Sequence, residues 1–194
     1  GQVRTIEVFA DGYRLIEPDG RALIFAPQGR LMRITDRNGN SQVLTYDQGL
    51  LSRVDDSFGR TLAFEYGPEG RLQTLATPIG SYTYAYDQGN LVSVTDPGGF
   101  SRQYAYQDPE DPHNLTGVIN ENKVLFTTIE YDGQDRAVSS SYPDELFKVS
   151  IEYGDDPLTR IVTDSIGRKT RYKLQYDHGI GKVVAAQGSG GGTS

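Results

Sequence analysis

The sequence predicts an all-β protein, an antiparallel and curled sheet made of repeated β-hairpins. Tyrosines end alternating apolar runs at intervals that subtraction gives as 20, 20, 20, 25, 22 and 23 residues: Tyr46, Tyr66, Tyr86, Tyr106, Tyr131, Tyr153 and Tyr176. A recurrence of this length indicates a repeat architecture. Within the runs, apolar residues alternate with polar or small ones, which is the period of a strand with one apolar face. Turn sequences containing Gly separate the runs, so each repeat is expected to be a hairpin.

Composition narrows the classes of function. Among the 194 residues, 36% are hydrophobic, and the aromatic residues are 13 Tyr and 7 Phe with no Trp. Tyr suits a thin sheet, because its ring buries well while its hydroxyl finds a polar partner. A net charge of −7 without a Lys/Arg cluster argues against a nucleic-acid groove or an anionic membrane surface. The absence of Cys excludes disulfides and thiolate sites.

Neither a membrane-spanning helix nor a secretion signal is visible. No apolar run approaches the roughly 20 residues of a membrane helix. The chain does not open with a basic and then an apolar segment. It begins with Gly1 instead of Met, which indicates a fragment of a longer protein, so the missing signal does not fix the compartment of the parent.

Residues 1–28 are predicted to be a lead-in meander. Asp11-Gly12 is a hairpin signal, since Gly accepts the positive φ of a type I′ turn. Pro18 presets φ in the next turn, which Gly20 closes. The three strands around these turns lack the Tyr ending, so we assign them to a lead-in and not to the repeats.

Residues 29–187 contain the repeats, each predicted to be one hairpin. The second strand alternates strictly, with Leu62, Phe64 and Tyr66 on one face and Ala63 and Glu65 on the other. The first strand is less regular, because its apolar residues are three apart, as in Leu31 to Ile34 and Leu51 to Val54. This spacing places them on opposite faces unless a bulge intervenes. We therefore predict a bulge near each repeat start, where Gly permits it.

Two segments depart from the pattern. Residues 107–113 are too rich in Pro and acidic residues for a strand, and we expect a solvated loop there. Residues 188–194 have the composition of a Gly/Ser linker and are predicted to be a flexible tail.

Recurring motifs carry a family resemblance. Tyr-Asp pairs with Gly or its substitute nearby begin at Tyr46, Tyr86, Tyr131 and Tyr176. Gly-Arg-Leu begins at Gly29 and Gly70, and Asp-x-x-Gly-Arg begins at Asp56 and Asp164. Together they resemble RHS repeats, also called YD repeats. The order of segments over about residues 20–184 is similar to the amino-terminal part of the bacterial Rhs core, as the stretches 36–40, 90–98 and 115–117 illustrate.

This resemblance implies a structural role. Rhs proteins and their relatives, the insecticidal toxin-complex C subunits and animal teneurins, wind such hairpins into a β-sheet that forms a hollow shell. In bacterial polymorphic toxins the shell encloses a carboxy-terminal toxin, often delivered by type VI secretion or held at the cell surface. The family's self-cleaving aspartyl site lies at the far end of the core. Asp96-Pro97-Gly98-Gly99 is followed by Phe100 and lies within the array, so we do not assign that activity here.

Several residues have alternative interpretations. The tyrosines suit a carbohydrate-binding ladder, although we favour cross-strand pairing on one face. The carboxylates of Asp108, Glu110 and Asp111 suit Ca²⁺, although they lack the ligand rhythm of known loops. The same holds for Asp155-Asp156, where we also favour a solvated loop.

Nucleophilic and phosphate-binding chemistry finds little support. His113 and His178 are the two histidines, and a triad with residues 139–141 lacks a Gly-x-Ser-x-Gly elbow. The segment 179–182 departs from a phosphate loop at both ends of the motif. Asn114-Leu115-Thr116 is a glycosylation sequon, which matters only in a eukaryotic secretory host.

We therefore predict a non-catalytic section of an Rhs-type toxin shell, with no catalytic residues, metal or cofactor. Its expected partners are neighbouring repeats and an enclosed toxin domain of the same parent chain, with no nucleic acid and no membrane span. The parent is expected to be secreted or held at the cell surface. The alternative is an extracellular repeat module that binds a carbohydrate or a surface protein.

Overall fold

The computed structural model describes residues 4–188, and its regular structure there is β-strand with one short 3₁₀ turn. The prediction of an all-β fold made of antiparallel hairpins is confirmed. The strands are Thr5–Phe9 (β1), Gly12–Ile16 (β2), Ala22–Phe25 (β3), Leu31–Thr35 (β4), Ser41–Asp47 (β5), Leu50–Asp56 (β6), Thr61–Tyr66 (β7), Leu72–Thr77 (β8), Gly80–Asp87 (β9), Asn90–Thr95 (β10), Ser101–Ala105 (β11), Gly117–Ile119 (β12), Leu125–Tyr131 (β13), Ala137–Ser141 (β14), Val149–Tyr153 (β15), Thr159–Thr163 (β16), Lys169–Asp177 (β17) and Ile180–Gly188 (β18). The 3₁₀ turn is Pro143–Glu145.

Two compact units divide the chain. Unit 1 comprises the residues up to 85 together with 94–100, and unit 2 comprises residues 86–93 and those from 101 onward. In unit 1, each strand from β1 to β8 pairs antiparallel with the next along the chain. In unit 2, the same holds from β11 to β18. Local pairing of this kind makes each hairpin one repeat.

The predicted lead-in strands are present as β1, β2 and β3. The last of them already has the geometry of a repeat. Phe25 pairs with Leu31 across a register shift, as Tyr46 pairs with Leu51 one hairpin later. Phe25 therefore takes the place of the tyrosine in β3. This similarity is not visible from the Tyr pattern alone.

Bulges near the repeat starts are confirmed. The pairing register shifts beside Phe25, Tyr46, Tyr66 and Tyr131, and in each case one residue of the following strand has no Cα partner. The skipped residues at these places are Met32, Ser52, Gln73 and Val138. An extra residue on one strand is the definition of a β-bulge.

The bulge keeps the apolar residues of the first strand on one face. Leu44 and Tyr46 share a face of β5, and they lie opposite Val54 and Leu51 of β6. Leu51 and Val54 therefore face the same way although they are three residues apart. Val54 in turn pairs with Leu62 of β7, so the apolar face continues into the next hairpin.

The sheet has little closed core. Among residues 4–188, Ala22 is the one buried apolar side chain, at 7% exposure, and the tyrosines of the repeats are half-buried or exposed. Stability must therefore come largely from contacts and hydrogen bonds between neighbouring hairpins, as in other repeat proteins. No helix in this described range is long and apolar enough to cross a membrane.

The two irregular segments are placed as follows. Residues 107–113 contain no strand, in agreement with the predicted loop. Gly188 is the last residue of β18, and the rest of the predicted tail, residues 189–194, lies outside the described residues.

Candidate functional site

The tyrosines of the repeats act through their hydroxyl groups. Each of five tyrosine hydroxyls donates a hydrogen bond of 2.8–3.1 Å to a backbone carbonyl 15 or 16 residues earlier. The pairs are Tyr46 with Leu31, Tyr66 with Leu51, Tyr106 with Leu91, Tyr131 with Leu115 and Tyr153 with Ala137. Burial raises the pKa of the Tyr106 hydroxyl, which keeps it a protonated donor at neutral pH.

The accepting carbonyl belongs to the residue that faces the preceding tyrosine. Leu51 lies opposite Tyr46 and accepts from Tyr66. Ala137 lies opposite Tyr131 and accepts from Tyr153. The acceptor adjoins a bulge, where the extra residue disrupts the ladder of backbone hydrogen bonds. The tyrosine hydroxyl thus satisfies a carbonyl at the weak point of the ladder and ties three consecutive strands together.

Arginines cover the rings of two of these tyrosines. The guanidinium carbon of Arg30 lies 4.8 Å from the ring centroid of Tyr46. Those of Arg136 and Arg160 lie 4.2 and 4.6 Å from the ring centroid of Tyr153. Such distances allow cation–π attraction. Arg30 and Arg136 each directly precede the carbonyl that the same tyrosine binds, which gives the Gly-Arg-Leu motif a structural explanation.

The Tyr-Asp-x-Gly motif closes the hairpin after the tyrosine. Gln48 and Gly49 have φ values of 46° and 90°, and His178 and Gly179 have φ values of 51° and 80°. Two successive positive φ values define a type I′ turn, whose twist matches that of the flanking strands. His178, 93% exposed in its side chain, is therefore a turn residue whose Nδ1 lies 2.7 Å from the Asp177 carboxylate.

The Asp-x-x-Gly-Arg motif closes the opposite kind of turn. Oδ1 of Asp56 accepts the amide hydrogens of Phe58 and Arg60, both at 2.9 Å, and Oδ2 accepts Nε of Arg60 at 2.6 Å. Asp164 binds Ile166 and Arg168 in the same way. These hydrogen bonds to the charged form lower the pKa of both carboxyl groups. Asp36, Asp96, Asp132 and, as an amide, Asn120 accept the same pair of backbone amides.

The serines considered for a catalytic triad have other partners. The hydroxyl of Ser139 donates to Glu130 at 2.5 Å, and that of Ser141 shares a hydrogen bond of 2.8 Å with Thr128. Nδ1 of His113 lies 2.7 Å from the side-chain oxygen of Asn90. The structure thus brings none of these serines into a hydrogen bond with a described histidine.

The acidic loop is held by hydrogen bonds between its own side chains and the backbone. Asp108 accepts from the amide of Glu110 at 2.9 Å and from the side chain of Asn114 at 3.0 Å, which lowers its pKa. Asp111 accepts the amide of His113 at 2.8 Å. No group of three or more His, Asp or Glu side chains within residues 4–188 has the arrangement to hold a metal ion.

The remaining candidates also take part in turns. Asp156 accepts the amide of Leu158 at 2.9 Å and the hydroxyl of Thr159 at 3.0 Å. Lys182, in the segment compared with a phosphate loop, donates to Asp177 at 3.0 Å across the last hairpin. The motif residues thus hold the backbone, and the geometry defines a β-hairpin repeat protein of scaffold type.

Comparison with known proteins identifies the kind of repeat. The sequence model of the RHS Repeat family matches residues 68–99 and 86–125. Double-stranded DNA deaminase toxin A of Burkholderia cenocepacia is 29% identical over 214 residues, an alignment that covers 98% of this chain and 15% of that protein. The chain is an RHS-repeat protein, and it spans about 15% of the length of this curated relative.

Similar solved structures come from toxin complexes. A crystal structure of TcdB2-TccC3 without its hypervariable C-terminal region has a TM-score of 0.43 and 11% identity, and the match covers 90% of this chain and 14% of that one. The Photorhabdus luminescens Tc holotoxin pore has a TM-score of 0.41 and 12% identity, covering 86% of this chain and 14% of that one. The family assignment rests on the repeat model and the sequence relative.

Proposed function

We propose that this chain is a non-catalytic wall section of an Rhs-type toxin shell. In the proposed parent protein, neighbouring repeats extend the sheet on either side, and the shell encloses a toxin domain of the same chain. The parent is secreted or displayed at the cell surface, with type VI secretion as one route. A relative named as a toxin, of which this chain covers 15%, supports a parent that carries its toxic activity elsewhere.

The observation that carries the proposal is the use of the tyrosine column. Five hydroxyls bind backbone carbonyls of the adjacent strand, and the rings of Tyr46 and Tyr153 are covered by guanidinium groups. A sugar-binding ladder needs open ring faces, and these two faces are already in use. The most repeated side chains of the protein therefore stabilise the wall, which favours the scaffold over the binding module.

The test uses the full-length parent and two kinds of variant. Tyr66→Ala removes a ring and a hydroxyl that join three strands, so we expect lower resistance of the toxin region to protease and weaker toxin delivery. Asp108→Ala, His113→Ala and His178→Ala change loop and turn side chains, and we expect both properties to stay close to those of the parent, since such changes usually cost less than ~0.5 kcal/mol.

The same experiment has a clear contrary result. A His or Asp variant that melts normally but has lost the function of the parent would replace the scaffold proposal with a catalytic or binding site. The isolated chain supplies a second check, because it should leave the cytosines of double-stranded DNA unchanged in a deamination assay. Turnover by the isolated chain would show that the relative's named activity resides in the repeats.

A further inference from the structure

The hairpin turns at the two ends of the strands differ in polarity. In unit 1, the turns 36–40, 56–60, 77–80 and 96–100 follow every second strand and therefore lie at one edge, which we call the apolar turn edge. Its turns expose Phe58, Ile79 and Phe100, at 67%, 79% and 60%. The turns at the other strand ends present Gln48, Gly49, Pro68 and Glu69.

Neighbouring turns of the apolar turn edge touch each other. The amide of Ser57 donates to the carbonyl of Ser41 at 2.9 Å, which joins the second turn to the first. A Cβ placed on Gly80 would lie 2.7 Å from Cβ of Pro97, so these two turns are also in direct contact. Consecutive strands are roughly 4.8 Å apart, so turns of one edge recur about every 10 Å. The exposed side chains thus form a row with a regular spacing.

Unit 2 has the same asymmetry by itself. The turns 120–124, 142–148 and 164–168 follow alternate strands and expose apolar side chains: Val124, Leu146, Phe147 and Ile166. In the middle turn the ring of Tyr142 contacts those of Phe126 and Phe147, at centroid distances of 4.9 and 5.6 Å. The turns at the opposite strand ends are polar and include Asp155, Asp156 and His178. The pattern in unit 1 is therefore a property of the repeat and not of one exceptional turn.

Charge does not oppose close approach at the apolar turn edge of unit 1. Asp56 is ion-paired with Arg60 at 2.6 Å, and Asp19 with Arg21 at 2.8 Å. Asp36 and Asp96 accept hydrogen bonds from backbone amides of their own turns. Although the whole chain carries a net charge of −7, two copies that meet at this edge bring together carboxylates that already have positive or amide partners.

We propose that the apolar turn edge of unit 1 packs against the same edge of a second copy of this chain. A row of side chains with a fixed spacing is complementary to an identical row shifted by half a step, because each side chain then enters a gap between two others. A two-fold arrangement makes the contact isologous and closes it at a dimer. A partner without this spacing fills one gap and leaves the next open, so the period itself selects a copy.

The expected affinity is low for a single chain. An exposed Phe or Ile offers on the order of 100 Å², so three per copy fall below the roughly 1,200 Å² of a standard protein interface. The association is therefore expected to depend on concentration. It would strengthen with the number of repeats that engage together, because linked contacts raise the effective concentration of one another.

The test is sedimentation of the 194-residue chain over a wide concentration range, with three variants. The unmodified chain should rise in average mass with concentration. Phe58→Ser/Ile79→Ser/Phe100→Ser should lose this rise while its far-UV spectrum and melting temperature stay close to those of the unmodified chain. The matched control Pro68→Ser/Glu69→Ser/Gln134→Ser alters polar turns at the other strand ends and should keep the rise. Ile6→Lys/Val8→Lys, in the exposed strand β1, should also keep it.

Single cysteines give a second measurement, since the chain has none of its own. Asn38→Cys places a thiol in a turn of the apolar turn edge, and Glu69→Cys places one in a polar turn. Oxidation should yield disulfide dimers faster for the first. A chain that stays monomeric at every concentration overturns the proposal. So does association that survives the Phe58/Ile79/Phe100 variant but is lost in the β1 variant, because strand pairing then accounts for it.

Discussion

The hydroxyl of Tyr66 donates a hydrogen bond of 2.9 Å to the carbonyl oxygen of Leu51, the residue that faces Tyr46 one hairpin earlier. The tyrosine of each such repeat is therefore attached to the place where the previous tyrosine meets its partner strand. Leu51 adjoins the skipped residue Ser52, where the ladder of backbone hydrogen bonds is disrupted. A backbone carbonyl that would otherwise need water obtains a side-chain donor, and hairpin is joined to hairpin by a specific bond as well as by packing.

Tyr66→Phe tests this bond while keeping the ring. We expect a loss of about 1 kcal/mol in the free energy of unfolding, because the carbonyl of Leu51 loses its donor and the net value of one such hydrogen bond is about 0.5–1.5 kcal/mol. Urea unfolding followed by circular dichroism measures the change. An unchanged midpoint and slope would mean that water replaces the hydroxyl without loss.

Tyr82→Phe is the matched control. Tyr82 lies in β9 opposite Leu75 on the same face as Tyr66, and its hydroxyl is not engaged in this carbonyl pattern. We expect its replacement to change the free energy of unfolding by less than ~0.5 kcal/mol. Equal losses in the two variants would attribute the effect to removal of any tyrosine hydroxyl from the sheet and not to the bond with Leu51.

Arg30→Ala tests the stacking of a guanidinium on a tyrosine ring. Arg30 lies 4.8 Å from the ring centroid of Tyr46, and an exposed cation–π contact is worth about 0.5–1 kcal/mol. We expect a loss of this size in urea unfolding. Arg30→Lys keeps the charge but not the planar group, so it should recover only part of the loss. Full recovery by Lys would show that charge alone matters at this position.

Much of the fold could be predicted because the repeat amplifies weak local signals. One alternating run such as Leu62, Phe64 and Tyr66 is ambiguous, but its recurrence in several hairpins with Gly between them leaves few alternatives. The bulges were also accessible, since the spacing of Leu51 and Val54 requires one if both are to share a face.

Other features depend on contacts that the sequence does not encode locally. The partner of a tyrosine hydroxyl is 15 or 16 residues away and is a backbone atom, so residue types give no indication of it. The role of Phe25 was hidden because it fills the tyrosine position without the hydroxyl. For Arg30, the Gly-Arg-Leu motif was visible, but the ring it covers belongs to the following repeat. A search for Arg before the residue that lies 15 positions ahead of a Tyr would have found this pair.

Asn90→Ala tests how the loop 107–113 is anchored. The side chain of Asn90 donates to the carbonyl of Pro112 at 2.7 Å and lies 2.7 Å from Nδ1 of His113. Without these bonds we expect faster amide hydrogen exchange in 107–113, which already exchanges faster than 62–66 in our prediction because it joins no ladder. Exchange in 62–66 should be unaffected. Asn122→Ala, in another turn, is the control, and an equal acceleration of the loop in that variant would contradict the anchor.

The turn around Asp56 predicts a dependence of stability on pH. Its pKa is lowered chiefly by the backbone amide of Arg60, with further contributions from the Arg60 side chain and the amide of Phe58. A carboxyl whose pKa is lower in the folded state stabilises the protein fully above its unfolded value of about 3.9, and this contribution is lost as the pH falls through the folded value. The chain contains a natural uncharged counterpart, because Asn120 accepts the amides of Asn122 and Val124 through its side-chain oxygen.

Asp56→Asn should therefore keep the backbone bonds of the turn and lose only the charge-dependent part. We expect its melting temperature to lie below that of the unmodified chain at pH 7, and the difference to shrink as the pH falls below about 4. The remaining aspartates titrate in both proteins, so the difference isolates Asp56 and its pair with Arg60 at 2.6 Å. Asp56→Ala removes the acceptor for the amides of Phe58 and Arg60 as well, so it should be less stable than Asp56→Asn at every pH. Thermal unfolding of the three proteins between pH 2 and 7 decides the matter. A difference between Asp56→Asn and the unmodified chain that stays constant over this range would show that the carboxylate contributes through shape and hydrogen bonding alone.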